Sequence, residues 1–369
     1  MEERGFKVFV PEEEEPDKDS EVFFNDKMKK NRDLSAIALK VFRENAELDE
    51  LRAVDSLAGS GIRGFRFSGS VDELHLNDLN PNAVESIEKG LEENSIEAEV
   101  HSEDANLLLT EHRNYFHFID IDPFGSFAPF LDSTARAANH QSFVGLTATD
   151  NAVTAGSYKT TCRRRYGSEP LPEAFIHETG LRIYIREVFE NFARYDKCFD
   201  PKLCFHERHY SRVMGRVTES KKRTNRTLEN IGHLSFCREC LWRKLERKEV
   251  CENCGSETEV AGPLWTGKFV DQRFTGRMLE RFPESWDESR EFLELLDAGA
   301  EIITPYYDLH RLASNIGEAV PPRKEFLEQL ESKGYPVSRT HFSPTGFRTD
   351  APISDIKDVL RDTSRESDE

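Results

Sequence analysis

Residues Ile119–Gly125 read IDIDPFG and place two carboxylates, a proline and an aromatic ring in one short segment. This combination suits a reaction at the exocyclic amine of a nucleobase, a poor nucleophile because its lone pair is delocalised into the ring. A carboxylate and a nearby backbone carbonyl can accept both N–H bonds, aim the lone pair at an electrophilic carbon and take up the released proton. Phe124 adds a face on which a base can stack. Of the two carboxylates in this segment, Asp120 and Asp122, we expect only one to point at a site, and we predict that Asp122 is catalytic. A plain Asp-Pro turn is the alternative.

A second motif, DSLAGSGIRG at Asp55–Gly64, matches GxGxxG between a predicted strand and a predicted helix. Gly59 and Gly61 would let the backbone turn tightly and approach a bound cofactor. Asp78 lies 19 residues after Gly59, at the end of the next predicted strand, where a carboxylate can hold a ribose hydroxyl pair. The motif alone does not distinguish a dinucleotide from S-adenosylmethionine, and a glycine turn without a ligand is the alternative.

A third motif, Ser-Glu-Asp-Ala at residues 102–105, follows the third predicted strand. The Asp104 carboxylate could accept a hydrogen bond from an adenine amine while the Ala105 N–H faces a ring nitrogen. The motif is weak by itself. It is supported only because it follows a predicted strand, as the other two motifs do.

Four of the seven cysteines form two CxxC pairs separated by ten residues, Cys237 with Cys240 and Cys251 with Cys254. In a long chain without a signal peptide, this spacing is typical of a zinc site. Four thiolates complete a tetrahedral shell, which stabilises a small fold and leaves no open coordination position for catalysis. We therefore predict a structural zinc site, with two pairs of exposed thiols as the alternative.

The chain has 69 acidic and 50 basic residues, a formal charge of -19 that by itself argues against a polyanionic partner. The charge is uneven, because residues 194–226 hold ten basic residues against four acidic ones whereas both ends are acidic. With Arg163–Arg165 and interleaved tyrosines, the stretch 159–226 predicts a phosphate-contacting face; a solvated surface is the alternative. No apolar run approaches the about 18 residues needed to span a bilayer, and we expect a cytoplasmic protein without a membrane partner.

A regular scaffold has to position these motifs. Short apolar runs alternate with helix-like stretches such as Asn82–Asn94, which Asn80 can cap and Pro81 can begin. The predicted strands are Leu51–Ser56, Glu73–Asn77, Ala98–His101, Phe116–Asp122 and Ser142–Thr147. Strands separated by helices predict βαβ units, and hence an α/β fold with a mainly parallel sheet and ligands at the carboxyl ends of its strands.

The chain resembles the archaeal and eukaryotic tRNA (guanine-26-N2)-dimethyltransferases over nearly its whole length. The segments that carry the resemblance are Val22–Ser35, Gly59–Gly64, Asp122–Gly125, Thr147–Asp150, Cys162–Gly167, the cysteine pairs, Gly262–Trp265, Tyr306–His310 and Ser338–Pro352. The last segment is far more specific than a glycine loop. The chain departs from the family pattern at Phe24, where tyrosine is common, and at Asp26, where proline is common.

This resemblance implies a Rossmann-like class I methyltransferase that uses S-adenosylmethionine to place two methyl groups on N2 of a guanine in tRNA. The residues that would contact the cofactor, by matching motif positions, are Arg32, Arg63, Asp78, Asp104 and Ala105. Asp122 would be the catalytic carboxylate, and Phe23 would sandwich the guanine with Phe124. Arg32 and Phe23 are not evident from the residues alone.

We predict three parts of the chain. Residues 1–225 would form the methyltransferase domain, with an acidic, disordered start over 1–21; residues 226–262 a zinc ribbon with four cysteine ligands; and residues 263–369 a smaller α+β domain that binds tRNA. Two other functions remain open: methylation of another exocyclic amine, such as adenine N6, or RNA binding by a non-catalytic zinc-ribbon protein. The sequence does not define the oligomeric state, and a monomer is compatible with it.

Overall fold

The computed structural model describes residues 1–10 and 20–368 of the chain. The strands of the N-terminal half are β1 (Glu2–Glu3), β2 (Phe6–Lys7), β3 (Arg52–Asp55), β4 (Glu73–Asn77), β5 (Glu99–His101), β6 (Phe116–Ile121), β7 (Ala138–Ala148), β8 (Lys197–Glu207) and β9 (Tyr210–Glu219). In the described residues, β3 to β9 form one sheet in the order β5-β4-β3-β6-β7-β9-β8. The first five of these are parallel, and β9 runs antiparallel to both of its neighbours. This is the Rossmann-like α/β fold with a mainly parallel sheet that the sequence predicts.

Helices cover both faces of this sheet. They are α1 (Lys29–Asn45), α2 (Ile62–Phe67), α3 (Pro81–Asn94), α4 (Ala105–Glu111), α5 (Leu131–Ala137), α6 (Asn151–Thr154), α7 (Lys159–Tyr166) and α8 (Ile176–Ala193). Helix α3 starts as its sequence predicts, because the Asn80 side chain accepts a hydrogen bond from the Asn82 N–H and Pro81 occupies the first turn. Since β6 is buried along its whole length, both of its faces lie in the apolar core.

The five predicted strands all form. Strands β3 to β6 have bounds within one residue of the prediction, and β7 begins four residues earlier than predicted. Asp122 is therefore the first residue beyond β6, where a parallel strand delivers its side chains to a ligand site.

The fold divides the cations of residues 194–226 between the surface and the interior. Six of the ten are exposed, namely Arg194, Arg208, Lys221, Lys222, Arg223 and Arg226, whereas the side chains of Lys197 and Arg212, in β8 and β9, are buried. The Lys197 ammonium donates to the carbonyl oxygens of Ala135 and Ala138 at 2.7 and 2.6 Å, and burial lowers its pKa to about 8. Lys197 and Arg212 are thus hydrogen-bond donors inside the protein. A count of charges along the sequence cannot distinguish such residues from cations on the surface.

The predicted disordered start is also corrected over its first ten residues. Strands β1 and β2 form a hairpin in which Glu3 is buried and accepts hydrogen bonds from Arg32 and Arg66. Arg4 pairs with the buried Asp33 at 2.7 Å. The acidic run that motivated the prediction lies outside the described residues.

The cysteine pairs belong to a small three-stranded sheet that follows helix α9 (Lys221–Thr227). Its strands are β10 (Ile231–Phe236), β11 (Arg243–Lys244) and β12 (Glu259–Trp265), with β10 in the centre. Both pairs precede a residue in the left-handed conformation, Leu241 with φ 65° and Gly255 with φ 77°. The N–H of each of these residues donates to the carbonyl of the first cysteine of its pair, so the two turns are alike.

The C-terminal part combines helices with a second three-stranded antiparallel sheet. Its elements are α10 (Gln272–Arg281), α11 (Asp287–Ala298), β13 (Tyr307–Asp308), α12 (Leu309–Ile316), α13 (Arg323–Ser332), β14 (Val337–Arg339), β15 (Gly346–Thr349) and α14 (Ile353–Asp368). The residue patterns of Glu288–Leu296 and Arg323–Lys333 predict helices, and these correspond to α11 and α13. No helix in the described part of the chain is long and apolar enough to span a membrane.

Buried charges join the C-terminal part to helix α8 of the N-terminal part. Glu178 of α8 has no exposed surface and pairs with Arg182 at 2.9 Å and with Arg348 of β15 at 2.8 Å. It also accepts the backbone N–H of Tyr306 at 3.1 Å. Arg182 in turn donates to the carbonyl oxygen of Ile303 at 2.7 Å. One carboxylate thus holds groups from both parts of the chain.

Candidate active site

A cavity of about 850 Å³ opens at the carboxyl ends of β3, β4 and β6. It is lined by Ser20, Phe23, Leu57, Gly59, Asp78, Leu79, Asn80, Ala83, Asp122, Pro123, Phe124, Gly125, Ser126, Pro129, Phe130 and Arg165. Its volume lies in the range of ordinary ligand pockets, about 300–1,000 Å³. The structure therefore brings together Phe23, Gly59, Asp78, Asp122 and Phe124 of the residues that the sequence predicts.

Asp122 is fixed from behind by Arg63. The Nη2 group of Arg63 donates to Asp122 Oδ2, and its Nη1 group donates to Asn31 Oδ1 at 3.1 Å and to Ser35 Oγ at 3.3 Å. Only 6% of the Arg63 side chain is exposed, against 16% for Asp122. The guanidinium thus lies beneath the carboxylate, and Arg63 is not among the residues that line the cavity, although the resemblance implies that it contacts the cofactor.

Asp120, the alternative catalytic carboxylate, is fully buried and forms an ion pair with Arg212 of β9. Arg212 also donates to Thr147 Oγ1 at 2.9 Å. The Arg212 guanidinium packs directly against Gly145. No larger residue fits at position 145, because its Cβ would lie 2.2 Å from the Arg212 Nη2 atom. Asp120 supports the site from within the sheet, whereas Asp122 faces the cavity.

Asp55, at the end of β3, completes a group of three carboxylates around Arg63. Its two carboxylate oxygens are buried and have no hydrogen-bond partner. Burial and the neighbouring Asp120 carboxylate raise the pKa of Asp55 to about 8. Burial alone would lower the pKa of Arg63, but Asp120, Asp122 and Asp55 raise it above its ordinary value. At neutral pH this cluster therefore contains a protonated Asp55 beside a charged arginine.

The glycine loop is shaped by its contacts with Asp78 and Phe23. Asp78 accepts hydrogen bonds from the N–H groups of Gly59 at 2.8 Å and Asn80 at 2.9 Å. Gly59 has φ 53°, and a Cβ on it would lie 3.0 Å from the carbonyl oxygen of Phe23. Gly61, with φ 78°, packs against the Phe65 ring, 2.6 Å from where its Cβ would stand. Gly59 therefore lets the Phe23 backbone close over the loop, while Gly61 permits the turn into α2.

The structure gives Asp104 and Arg32 partners within the protein. Asp104 caps α4 by accepting the N–H groups of Asn106 at 2.8 Å and Leu107 at 3.3 Å, and Ala105 is the first, buried residue of that helix. Arg32 is buried and donates to Glu3 and to the carbonyl oxygen of Asn25. Neither Asp104 nor Arg32 lines the cavity, so their cofactor contacts stay predictions.

Phe23 and Phe124 contact each other edge to face, with ring centroids 4.5 Å apart and an interplanar angle of 74°. A base stacked between two parallel rings needs them separated by about 7 Å, two van der Waals contact distances. The arrangement leaves no such gap, so a sandwich requires one ring to move. Phe124 is 52% exposed, which makes it the freer of the two to turn.

Asp150 holds Arg165, one of the residues that line the cavity, and the sequence does not predict this role. Its carboxylate accepts hydrogen bonds from Tyr166 at 2.8 Å, Tyr184 at 2.9 Å and Arg165 at 2.5 Å. The preceding Thr149 exchanges hydrogen bonds with Gly125, which ties the Asp-Pro-Phe-Gly turn to the end of β7. The sequence signal is Tyr166 beside Arg163–Arg165, which predicts a surface feature, whereas the Tyr166 side chain is buried.

The four cysteines meet in one cluster, and their sulfur atoms lie within 4.8 Å of one another. The Sγ atoms of Cys237 and Cys254 are 3.5 Å apart, and so are those of Cys240 and Cys251. A tetrahedral zinc ion with bonds of about 2.3 Å places its sulfur ligands about 3.8 Å apart, so the cluster fits zinc closely. The cysteines do not line the cavity, and a closed shell of four thiolates is typical of a structural site.

Known proteins match this chain over almost its full length. The family model of N2,N2-dimethylguanosine tRNA methyltransferases matches residues 6–361. The tRNA (guanine(26)-N(2))-dimethyltransferase of Methanothermobacter thermautotrophicus is 39% identical over 351 residues, 92% of each chain. That of Haloarcula marismortui is 35% identical over 365 residues, 96% of this chain and 98% of its own.

Among solved structures, Trm1 from Pyrococcus horikoshii in complex with S-adenosyl-L-methionine has 29% sequence identity and a TM-score of 0.86. The match covers 96% of this chain and 97% of that one, and so includes the C-terminal part as well as the methyltransferase domain. The chain belongs to the N2,N2-dimethylguanosine tRNA methyltransferase family.

Proposed function

We propose that this chain transfers two methyl groups in succession from S-adenosylmethionine to the exocyclic N2 of guanine 26 in tRNA. The observation that carries the proposal is Asp122, which Arg63 holds at the wall of the cavity, two residues before the exposed ring of Phe124. Family membership supports the substrate, and the S-adenosyl-L-methionine complex of the Pyrococcus horikoshii relative supports the methyl donor.

Different residues of the cavity would contact the cofactor and the base. Asp78 and the Gly59 backbone, which line the cavity, would hold the cofactor, and the bound cofactor supplies an electrophilic methyl group. Asp122 accepts an N–H of the guanine amine, which draws the nitrogen lone pair toward that methyl group. When the methyl group passes from the cofactor sulfur to the amine nitrogen, Asp122 would take the amine proton and later release it to water.

The second transfer uses the remaining N–H of the same nitrogen. The methylated amine must rotate about its bond to the ring, or the base must rebind, so that this N–H faces Asp122. A guanine has to leave its stack to reach the cavity, which requires an aromatic surface to receive it. Phe124 can provide one face, and displacement of its ring from Phe23 would provide the second.

Helix α7 is the surface that we propose for the tRNA backbone. It carries Lys159 and Arg163–Arg165, and Arg165 also lines the cavity. The Arg163 side chain is 68% exposed. A short basic helix beside the cavity can contact phosphates flanking the extruded base. A tRNA substrate also agrees with the cytoplasmic location expected from the sequence.

The test is methyl transfer by Asp122→Asn with unmodified tRNA and isotope-labelled donor, read by mass spectrometry of the nucleosides. We expect N2,N2-dimethylguanosine from the wild type, and a loss of at least about 100-fold in the variant because the proton acceptor is gone. Calorimetry should give unchanged cofactor binding. Asp358→Asn, an exposed carboxylate on α14, is the matched control.

Near-normal turnover by Asp122→Asn would refute the assignment of the carboxylate. Label on adenine N6 would refute the substrate, and a wild-type chain that does not bind S-adenosylmethionine would favour a non-catalytic RNA-binding protein.

A further inference from the structure

A second cluster of metal-ligating side chains lies at the outer edge of the central sheet, away from the cysteines. His75 of β4 and Glu99 of β5 are directly opposite each other in the parallel pair, and His101 follows two residues after Glu99. Alternate residues of a strand project from the same face, so all three side chains share one face of the sheet. His75 is buried, whereas the Glu99 side chain is 66% exposed and gives solvent access to the group.

Three donor atoms of this cluster form a compact triangle. His75 Nδ1 lies 2.9 Å from His101 Nε2 and 3.6 Å from Glu99 Oε2, and His101 Nε2 lies 3.9 Å from the same oxygen. The point equidistant from the corners of such a triangle is about 2.0 Å from each, which is the length of a zinc bond to a histidine nitrogen or a carboxylate oxygen.

His75 is already oriented as metal ligands are. Its Nε2 atom contacts Glu73 Oε1 at 2.6 Å, and the same oxygen accepts the Tyr115 hydroxyl at 2.6 Å. A carboxylate can only accept here, so Nε2 carries the proton and the lone pair of Nδ1 faces His101 and Glu99. A carboxylate behind a histidine is the usual support of a metal-bound imidazole.

The Nε2 atom of His101 faces the Nδ1 atom of His75, so both imidazoles can direct a lone pair at the same point. In the absence of a metal, His75 Nδ1 and His101 Nε2, which are 2.9 Å apart, share one proton. When a metal cation replaces this proton, the N–H of His101 can be at Nδ1, which lies 3.9 Å from the Glu103 carboxylate.

We infer that His75, His101 and Glu99 form a second metal site, which binds a divalent transition-metal ion such as zinc through two imidazoles and one carboxylate. Its three protein ligands leave a coordination position for water, unlike the closed cysteine cluster. The inference rests on the geometry of the three donor atoms and is independent of the proposed methyl transfer.

The metal would fasten the edge strand of the sheet. Strand β5 has only three residues and one neighbour, β4. Its last residue, His101, accepts the N–H of Asp78 on its carbonyl oxygen at 3.3 Å and leads into the loop that carries Asp104. A metal bound to His101 would therefore hold in place the strand end beside the predicted cofactor contacts.

The test is the zinc content of the full chain after equilibration with buffered zinc, measured by elemental mass spectrometry. We expect two zinc ions per wild-type chain, and one in His101→Gln and in Glu99→Gln. The Glu99 side chain is exposed, so its replacement leaves the core packing intact. His112→Gln is the matched control, because His112 packs against both other imidazoles without being one of the three ligands. It should retain two.

Two further measurements separate this site from the cysteines and from a folding defect. Zinc added to chains already loaded with one equivalent should raise the melting temperature of the wild type and of His112→Gln, but not of Glu99→Gln. Glu73→Gln should weaken the second zinc by about 10–100-fold, as for other outer-shell carboxylates. A wild-type chain that holds only one zinc, or a His101→Gln chain that holds two, would overturn the inference.

Discussion

Arg63→Met removes the cation beneath Asp122, the carboxylate that we propose as catalytic, while keeping a side chain of similar length. In the folded protein Arg63 joins Asp122 to Asn31 and Ser35, and it lies within 3.4 Å of Asp120. Without it, Asp122 loses the group that fixes its direction, while Asp120 keeps its pair with Arg212. The variant should therefore fold and bind cofactor but hold its proton acceptor in several orientations.

The expected magnitudes follow from burial. Removal of one partner of a buried ion pair costs about 3–5 kcal/mol. The lower end applies here, because water can reach the 16% of the Asp122 side chain that is exposed. For activity, a misplaced reacting group costs about 100-fold in kcat. Arg63→Lys should recover part of this loss, since it restores the charge but not the hydrogen bonds to both Asn31 and Asp122.

The assay combines single-turnover methyl transfer to tRNA with calorimetric titration of S-adenosylmethionine and urea unfolding. We expect kcat to fall far more than cofactor affinity, which identifies Arg63 as a positioning residue. If cofactor affinity falls by the same factor as kcat, Arg63 contacts the cofactor, as the family resemblance implies. An unchanged kcat would show that Asp122 does not need its partner.

Three other predictions concern the base, the buried carboxylate and the tRNA surface. Phe124→Leu should reduce kcat/KM for tRNA by about 10-fold or more, because stacking contributes about 1–3 kcal/mol per base, and leave cofactor affinity unchanged in calorimetry. Asp55→Asn should become more stable relative to the wild type as pH rises from about 4 to about 8, measured by urea titrations. In the folded wild type the pKa of Asp55 is about 8, so Asp55 keeps its proton over this range. The unfolded chain loses that proton above about pH 4, so the free energy of unfolding of the wild type falls as pH rises. A variant whose relative stability does not change over that range would contradict the assignment. Arg164→Ala on α7 should weaken tRNA binding and reduce its salt dependence by about one phosphate contact, whereas an unchanged salt slope would remove α7 from the interface.

The positions of the reactive residues could be predicted from the sequence wherever they follow local patterns. The five strands, the cap of α3 and the location of Asp122 beyond β6 all depend on short runs of residues. The roles of Arg63 and Arg212 could not be predicted in this way, because each is defined by a partner far away in the chain. Gly145 is the one local trace of Arg212, since a glycine in a buried strand indicates that another group approaches closely.

Charge was the least reliable guide. The basic excess of residues 194–226 includes cations that serve the interior, such as Lys197, and the acidic start contributes a buried carboxylate, Glu3. The composition gives the number of charged residues, but it does not show whether a charge is solvated by water or contacts other groups of the protein. The exposed bases of α7 were in the same predicted stretch, but only the fold separates them from the buried ones.

The carboxylate of Glu178 has a consequence for how the chain can be divided. A cut between β12 and α10 would leave Glu178 and Arg182 in one piece and Arg348 in the other. The C-terminal piece would then carry Arg348 without its carboxylate, and the N-terminal piece would expose the Glu178–Arg182 pair on a newly uncovered surface, which costs more than separation at an ordinary domain boundary. We therefore expect the two parts to occur together in one chain, and we expect neither to be soluble as an isolated fragment.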